Sequence, residues 1–225
     1  MHMKAAVAGA GRMGSLVAEM LPAGTEKVVI DRELAAAERV AGKIGGSAAD
    51  GYRGAAEADV LFLLLPAPAI PDAAEEAAAF MKPGAVIVNM STKGVFREET
   101  AGRFPEIRFV NAKIIGHASS IRGGAPGLVV TDAPEELFRM LSGQLTKFQV
   151  VKGDPSLVPV LSTIASSEGI RAAVSVKKQA ALKGAPEEWM RPLIYTVLAG
   201  TARAYVDDDM GEFAKALAEK LEKEG

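Results

Sequence analysis

The chain has 225 residues, 49% apolar and 24% charged, with a formal net charge of -2, which suits one large or two small globular domains with a full core. The basic residues are scattered, which excludes a nucleic-acid or anionic-membrane surface, and cysteine is absent, which excludes disulfides and thiolate chemistry. Two histidines, His2 and His117, cannot build a histidine-rich metal site, so no metal is expected.

Residues 4–8 read as a short buried strand, and Gly9, Gly11 and Gly14 follow it with G-x-G-x-x-G spacing. A helical pattern then starts, with Leu16, Val17, Met20 and Leu21 on one face. Gly9 allows a sharp turn out of the strand, Gly11 lets a pyrophosphate approach the backbone, and Gly14 lets the helix pack closely. The free N–H groups at the helix start then face the phosphates, so Gly9, Gly11, Arg12, Met13 and Gly14 form a candidate dinucleotide turn. The alternative is a glycine turn that joins strand to helix and binds nothing. The starting strand lies so close to the first residue that no signal peptide is expected, and a cytoplasmic location follows.

A second strand over residues 27–31 ends in Asp31. A carboxylate there accepts hydrogen bonds from an adenosine ribose and repels a 2′-phosphate, which favours NAD over NADP. Arg32 offers the opposite choice, pairing with that phosphate or stacking on adenine, or it is a solvated surface residue. Further strands are expected over residues 59–65, 85–90, 107–112, 127–131 and 148–151. Helices are expected over 12–21, 33–43, 71–81 and 134–141. Strands that alternate with helices predict an α/β fold, a Rossmann-type doubly wound parallel sheet. The run at 60–65 is apolar throughout, as for a central strand buried on both faces, and the apolar stretch 60–70 is too short to span a membrane.

Ligands of open α/β sheets sit at the carboxyl ends of the strands. That places Leu65, Pro66 and Ala67 beside the cofactor, with the prolines also ending the strand. It places Ser91, Thr92 and Lys93 where two hydroxyls and an ammonium can meet a nicotinamide amide or a substrate carboxylate, or simply cap the next helix.

After residue 152 the pattern becomes helical. Asp154 and Pro155 suit a helix start, with the helix running to about residue 183. A second helix opens at Pro186 and extends to about 206, with a reset at Pro192. The acidic run 207–209 favours the start of a last helix with Met210, Phe213, Leu217 and Leu221 as its apolar stripe. The expected domains are therefore 1–152, dinucleotide-binding, and 153–225, helical. The first long helix is apolar on more than one side (Leu157, Val160, Leu161, Ile164, Val174), which predicts a homodimer joined through these helices. Trp189 and Tyr195 are assigned to core or dimer packing, and Lys177 to the surface.

The order Gly9-x-Gly11-x-Met13-Gly14, Leu63-x-Leu65-Pro66 and Lys82-Pro83-Gly84-Ala85-Val86-Ile87-Val88-Asn89-Met90-Ser91-Thr92 resembles the β-hydroxyacid dehydrogenase superfamily, which includes 6-phosphogluconate dehydrogenase-type enzymes and imine reductases. Phe109-Val110-Asn111-Ala112-Lys113-Ile114-Ile115-Gly116 is similar to its substrate-loop strand, and Gly123-Gly124-Ala125-Pro126-Gly127 to the glycine-rich stretch that follows. The resemblance covers roughly residues 4 to 180 and implies an NAD(P)-dependent oxidoreductase acting on a small carbonyl, hydroxy acid or imine. Ser91-Thr92-Lys93 with Phe109-Val110 is also similar to prephenate dehydrogenases.

The departures fall on the proton donors. The positions of the hydroxyacid enzymes' catalytic lysine and asparagine fall on Ser162 and Ser166, and the aspartate or tyrosine of imine reductases is missing as well. The prephenate dehydrogenase histidine position falls on Lys113. Ser162, Lys113, His117 and Lys93 are therefore the candidate catalytic residues, and Lys93, Arg122, Gly123, Gly124 and Ser166 the candidate substrate residues. Two other readings remain: a dinucleotide-binding sensor or regulatory protein that reduces nothing, and transfer between a deazaflavin and NADP.

Overall fold

The computed structural model describes residues 3–224, so His2 lies outside the described residues. The chain divides into two compact units, Met1–Val160 and Leu161–Gly225. The first therefore continues past residue 152.

The first unit is built on an eight-stranded sheet of order β3-β2-β1-β4-β5-β6-β7-β8. Its strands are β1 (Lys4–Ala8), β2 (Glu26–Ile30), β3 (Ser47–Ala49), β4 (Val60–Leu63), β5 (Val86–Asn89), β6 (Arg108–Ile115), β7 (Leu128–Thr131) and β8 (Gln149–Lys152). The helices are α1 (Arg12–Met20), α2 (Leu34–Ile44), α3 (Ile70–Ala78), α4 (Thr100–Arg103), α5 (Ala118–Arg122) and α6 (Glu135–Gln144). Because side chains alternate along a strand, each central strand feeds two cores. Val7, Val60, Phe62 and Val88 pack with Leu16, Val17 and Leu141 on the face covered by α1, α2 and α6. Ala6, Ala8, Leu61, Leu63 and Ile87 pack with Ile70, Ala74 and Ala77 of α3 on the other. The alanines of α3 bring that helix close to the sheet.

The order 3-2-1-4-5 places the crossover between β1 and β4, the topological switch point of a Rossmann fold. Two features differ from the sequence expectation. The edge strand β3 was not expected; its Ser-Ala-Ala run has little strand propensity and is held by pairing Val28 with Ser47 through Ile30 with Ala49. The sheet is also not wholly parallel, since β7 pairs antiparallel with β6. The connection from 116 to 127 carries only the five-residue helix α5 and is shorter than the connections between consecutive strands that pair in parallel.

The second unit is helical. The long helix α7 (Leu157–Leu182) enters it unbroken past Gly169, and Asp154 Oδ1 accepts the Ser156 N–H just before the helix (2.8 Å). After Pro186 come a short turn, α8 (Met190–Pro192), a π-helical segment (Leu193–Leu198) and α9 (Ala199–Val206). The wider spacing begins directly after Pro192, which lacks the N–H needed to continue a regular helix. The last helix is α10 (Glu212–Glu224), and Tyr205 of α9 donates to Glu222 of α10 (2.7 Å). No helix among the described residues is long and apolar enough to cross a membrane.

Candidate functional site

The strand register builds the site. Ile30, Ala8, Leu63, Asn89 and Asn111 lie in one row across β2, β1, β4, β5 and β6. The residues that follow, Gly9, Asp31, Leu64 and Met90, form the carboxyl edge, where an open sheet binds ligands.

The three fingerprint glycines have different physical reasons. Gly9 has φ +106°, and an added Cβ would lie 2.4 Å from the Leu64 carbonyl oxygen. At Gly14 an added Cβ would lie 1.7 Å from the Gly9 carbonyl oxygen, so this glycine lets the helix close on its own loop more than on the sheet. Gly11 has ordinary φ, and apart from its own backbone and its two chain neighbours no protein atom lies within 4 Å of the Cβ it lacks. It is also the N-cap of α1 and makes no side-chain cap, so the first N–H groups of α1 are open to a ligand. That empty space above an uncapped helix start fits a pyrophosphate.

Asp31 stands at the end of β2. Its Oδ2 accepts the Ala10 N–H (2.7 Å) and its Oδ1 accepts the Glu33 N–H (3.0 Å). An ionised carboxylate has about four lone-pair sites, so roughly two remain for a ribose. The neighbouring Arg32 is exposed.

Beside the glycine turn lies a cleft of about 360 Å³, lined among others by Met13, Leu65, Pro66, Ala67, Thr92 and Lys93. Thr92 and Lys93 are exposed, on the turn that follows β5. This turn is held from beneath by buried polar groups. Asn89 Nδ2 donates to the Gly94 carbonyl (2.8 Å) and to Asn111 Oδ1 (3.0 Å), and Asn89 Oδ1 accepts the Ser91 N–H (3.1 Å). The Lys113 ammonium donates to the Ser91 carbonyl (2.5 Å) and the Gly94 carbonyl (2.7 Å).

Several sequence assignments change here. Lys113, a candidate proton donor in the sequence, is 4% exposed, and its ammonium is engaged by two carbonyls beneath the turn. Burial pushes its ammonium down to about 8. Arg122 does not join Lys93. It turns back to α1, pairs with Glu19 (3.1 Å), and donates to Ser15 Oγ (2.8 Å) and the Arg12 carbonyl (3.3 Å). With Gly11 and Arg12 it lines a second hollow, of about 390 Å³, between α1 and α2. Gly123 and Gly124 are exposed beyond α5. His117 is exposed just before α5, its Nδ1 2.8 Å from Ser119 Oγ, and follows Gly116, which lines the first cleft.

In the helical unit, Ser162 is half-buried and Ser166 exposed, one turn apart on α7. Lys177 pairs with Glu187 (2.8 Å). Trp189 and Tyr195 are exposed in the single chain, so neither is core.

Sequence reasoning missed Asn111 as a partner of Asn89. The signal was there: Asn111 and Lys113 lie two apart on a strand whose other residues from Phe109 to Ile115 are apolar, which puts both on one face.

Comparison with known proteins agrees with this geometry. The family model for the NAD-binding domain of 6-phosphogluconate dehydrogenase matches residues 4–148. No curated protein matches the chain. Among solved structures, a pyrroline-5-carboxylate reductase from Coxiella burnetii is similar with a TM-score of 0.74 at 16% identity, over 98% of this chain and 85% of that one. A 3-hydroxyisobutyrate dehydrogenase from Salmonella typhimurium gives 0.70 at 22%, over 92% and 79%. An imine reductase from Pseudomonas sp. gives 0.64 at 19%, over 99% and 88%. At these identities the likeness is one of fold, while the family match covers most of the sheet-bearing unit. The chain therefore belongs to the family of the NAD-binding domain of 6-phosphogluconate dehydrogenase, a family of NAD(P)-dependent oxidoreductases.

Proposed function

We propose that the protein transfers a hydride between a nicotinamide cofactor and a small carbonyl, hydroxy-acid or imine substrate. The observation that carries this reading is Gly11: its missing Cβ leaves open space above an uncapped helix start, directly beside a cleft at the carboxyl edge of the sheet. When bound, the nicotinamide supplies the hydride chemistry. The chain's own part is to hold and orient. The N–H groups of α1 and Arg12 meet the pyrophosphate, and Asp31 meets the adenosine ribose. With the adenosine over β2, the other half of a dinucleotide extends over β4 and β5, towards Leu65, Pro66, Ala67, Ser91 and Thr92. Lys93 then offers an ammonium to a substrate carboxylate or a proton to the reacting atom. The substrates of the similar solved structures, a hydroxy acid and imines, agree with this class.

Asp31 makes NAD the favoured cofactor. Replacing Asp31 with Ala should shift the NADH-to-NADPH affinity ratio about tenfold towards NADPH, the value of one charge-assisted contact. An unchanged ratio in calorimetry refutes the role. The test of the whole reading is titration with NADH and NADPH, followed by NADH consumption over a panel of carbonyls, imines and hydroxy acids. Binding of neither nucleotide overturns it.

A sensor that binds the dinucleotide without turnover is the second reading. It is favoured by one observation: among the described residues lining the cleft, Lys93 is the single titratable side chain. Binding without turnover over the panel selects it. We also assign the helical unit to dimerisation, with a second copy covering Leu161, Ile164 and Val174, which are exposed on α7.

A further inference from the structure

The turn after β5 carries Thr92 and Lys93 to the cleft, yet it has no regular structure of its own. A surface loop of that kind is normally mobile. Here its carbonyls are gripped from the sheet side. Asn89, Asn111 and Lys113 all lie on one face, because Asn89 pairs with Asn111 across β5 and β6 and Lys113 is two residues further along β6. Lys113 spans the turn, donating to its first residue (Ser91, 2.5 Å) and its last (Gly94, 2.7 Å). Gly94 is enclosed, since an added Cβ would lie 2.4 Å from Ile70 Cγ1. Two N–H groups on one nitrogen thereby fix both ends of the segment that presents Thr92 and Lys93.

We infer that Lys113 is a positioning residue: it clamps the Ser91–Gly94 turn so that Thr92 and Lys93 face the nicotinamide half of a bound dinucleotide. This rests on the dinucleotide reading above. It assigns Lys113 no contact with substrate and no proton transfer. Burying a cation against neutral carbonyls is costly, and the fold retains Lys113 where two of them converge.

The proposal separates the two halves of the cofactor. ADP-ribose carries the adenosine and pyrophosphate but lacks the nicotinamide. NADH carries all three. The experiment measures both affinities by calorimetry for the wild type, Lys113→Met and Lys113→Gln, together with amide hydrogen exchange over residues 90–95. Lys113→Met removes the donors and keeps the bulk. NADH affinity should fall about tenfold, ADP-ribose affinity should stay within about twofold, and exchange should speed up in the turn. Lys113→Gln restores N–H donors without the charge and should recover NADH affinity to within about threefold of wild type. It also serves as the working variant if Lys113→Met does not fold. Equal losses for NADH and ADP-ribose would mean a merely structural role and overturn the proposal. Unchanged NADH affinity or unchanged exchange in the turn overturns it as well. If the wild type binds neither ligand, the dinucleotide reading fails, and the exchange arm alone decides whether Lys113 holds the turn.

Discussion

The two units handle apolar surface in opposite ways. In the sheet-bearing unit, Phe62, Leu61, Leu63 and Ile87 are fully buried, and helices cover both faces. In the helical unit, Ile164, Ile170, Val174, Trp189, Tyr195, Phe213 and Leu221 are all exposed, and among the described residues of that unit Met190 alone is a buried apolar residue. Hydrophobic burial contributes about 25 cal/mol per Å² only where water is removed. The first unit therefore gains its stability within one chain, whereas the second leaves most of that gain unrealised until something covers it. The Gly9–Gly14 turn sits on the well-packed unit.

Substitutions at paired positions can break this contrast. Phe62→Ala should destabilise the sheet-bearing unit by about 3 to 5 kcal/mol, from lost transfer and a cavity that cannot collapse. Phe213→Ala, at a side chain 84% exposed in the single chain, should cost that unit under about 0.5 kcal/mol. Chemical denaturation of both variants measures the difference, and equal losses would erase the contrast. Leu161→Glu carries the same logic to assembly: light scattering should report a monomer while the sheet-bearing unit melts unchanged. A persistent dimer would retire the proposed interface.

The glycine turn allows a sharper version within the sheet-bearing unit. Gly14→Ala should destabilise the fold, because its Cβ meets the Gly9 carbonyl at 1.7 Å. Gly11→Val should fold normally and lose dinucleotide affinity by about a hundredfold, roughly 2.7 kcal/mol. If Gly11→Val binds as the wild type does, the open space above α1 does not hold the pyrophosphate.

The same contrast explains what was legible in the sequence. The turn from Gly9 to Gly14 could be read because strand, glycines and helix are all local, and so could the burial of residues 60–63. The clamp formed by Asn89, Asn111 and Lys113 could not, because it exists only once β5 and β6 pair in register. Strand direction was hidden for a similar reason: residues 128–131 look like any strand, and only their pairing with β6 shows that β7 runs antiparallel to it. Arg122 illustrates the limit for side chains. Its place in a glycine-rich loop suggested a substrate, but its partner Glu19 is remote in sequence and becomes a neighbour only through packing of α5 on α1.

Lys113 gives a pH signature with a definite sign. Burial lowers its folded value to about 8 from 10.5 in an ordinary lysine. Between those values the unfolded chain binds more protons than the folded one, so its contribution to stability rises with pH, by at most about 1.4 kcal/mol per pH unit. Below the folded value both states are charged and the contribution is flat. Other lysines and tyrosines titrate nearby, so the quantity to measure is the wild-type stability minus that of Lys113→Met. That difference should climb from about pH 8 and level off above the ordinary lysine value. A difference that is flat across the window means that Lys113 is not buried as a cation.

The smallest effect is expected at Arg122. Its pair with Glu19 is bidentate, with Oε2 at 3.1 Å and Oε1 at 3.2 Å, but both side chains are 36% exposed. Solvent screening limits such a pair to about 1 kcal/mol or less. Arg122→Ala should therefore leave the melting transition almost unmoved. Its effect should be local, because the guanidinium also reaches Ser15 Oγ and the Arg12 carbonyl and so ties the end of α5 to the start of α1. Hydrogen exchange over residues 117–124 should speed up, and 1 M salt should reproduce part of that change in the wild type, since the Debye length there is about 3 Å. A large loss of global stability would mean that this contact belongs to the cooperative core of the sheet-bearing unit and is not a local tie between α5 and α1.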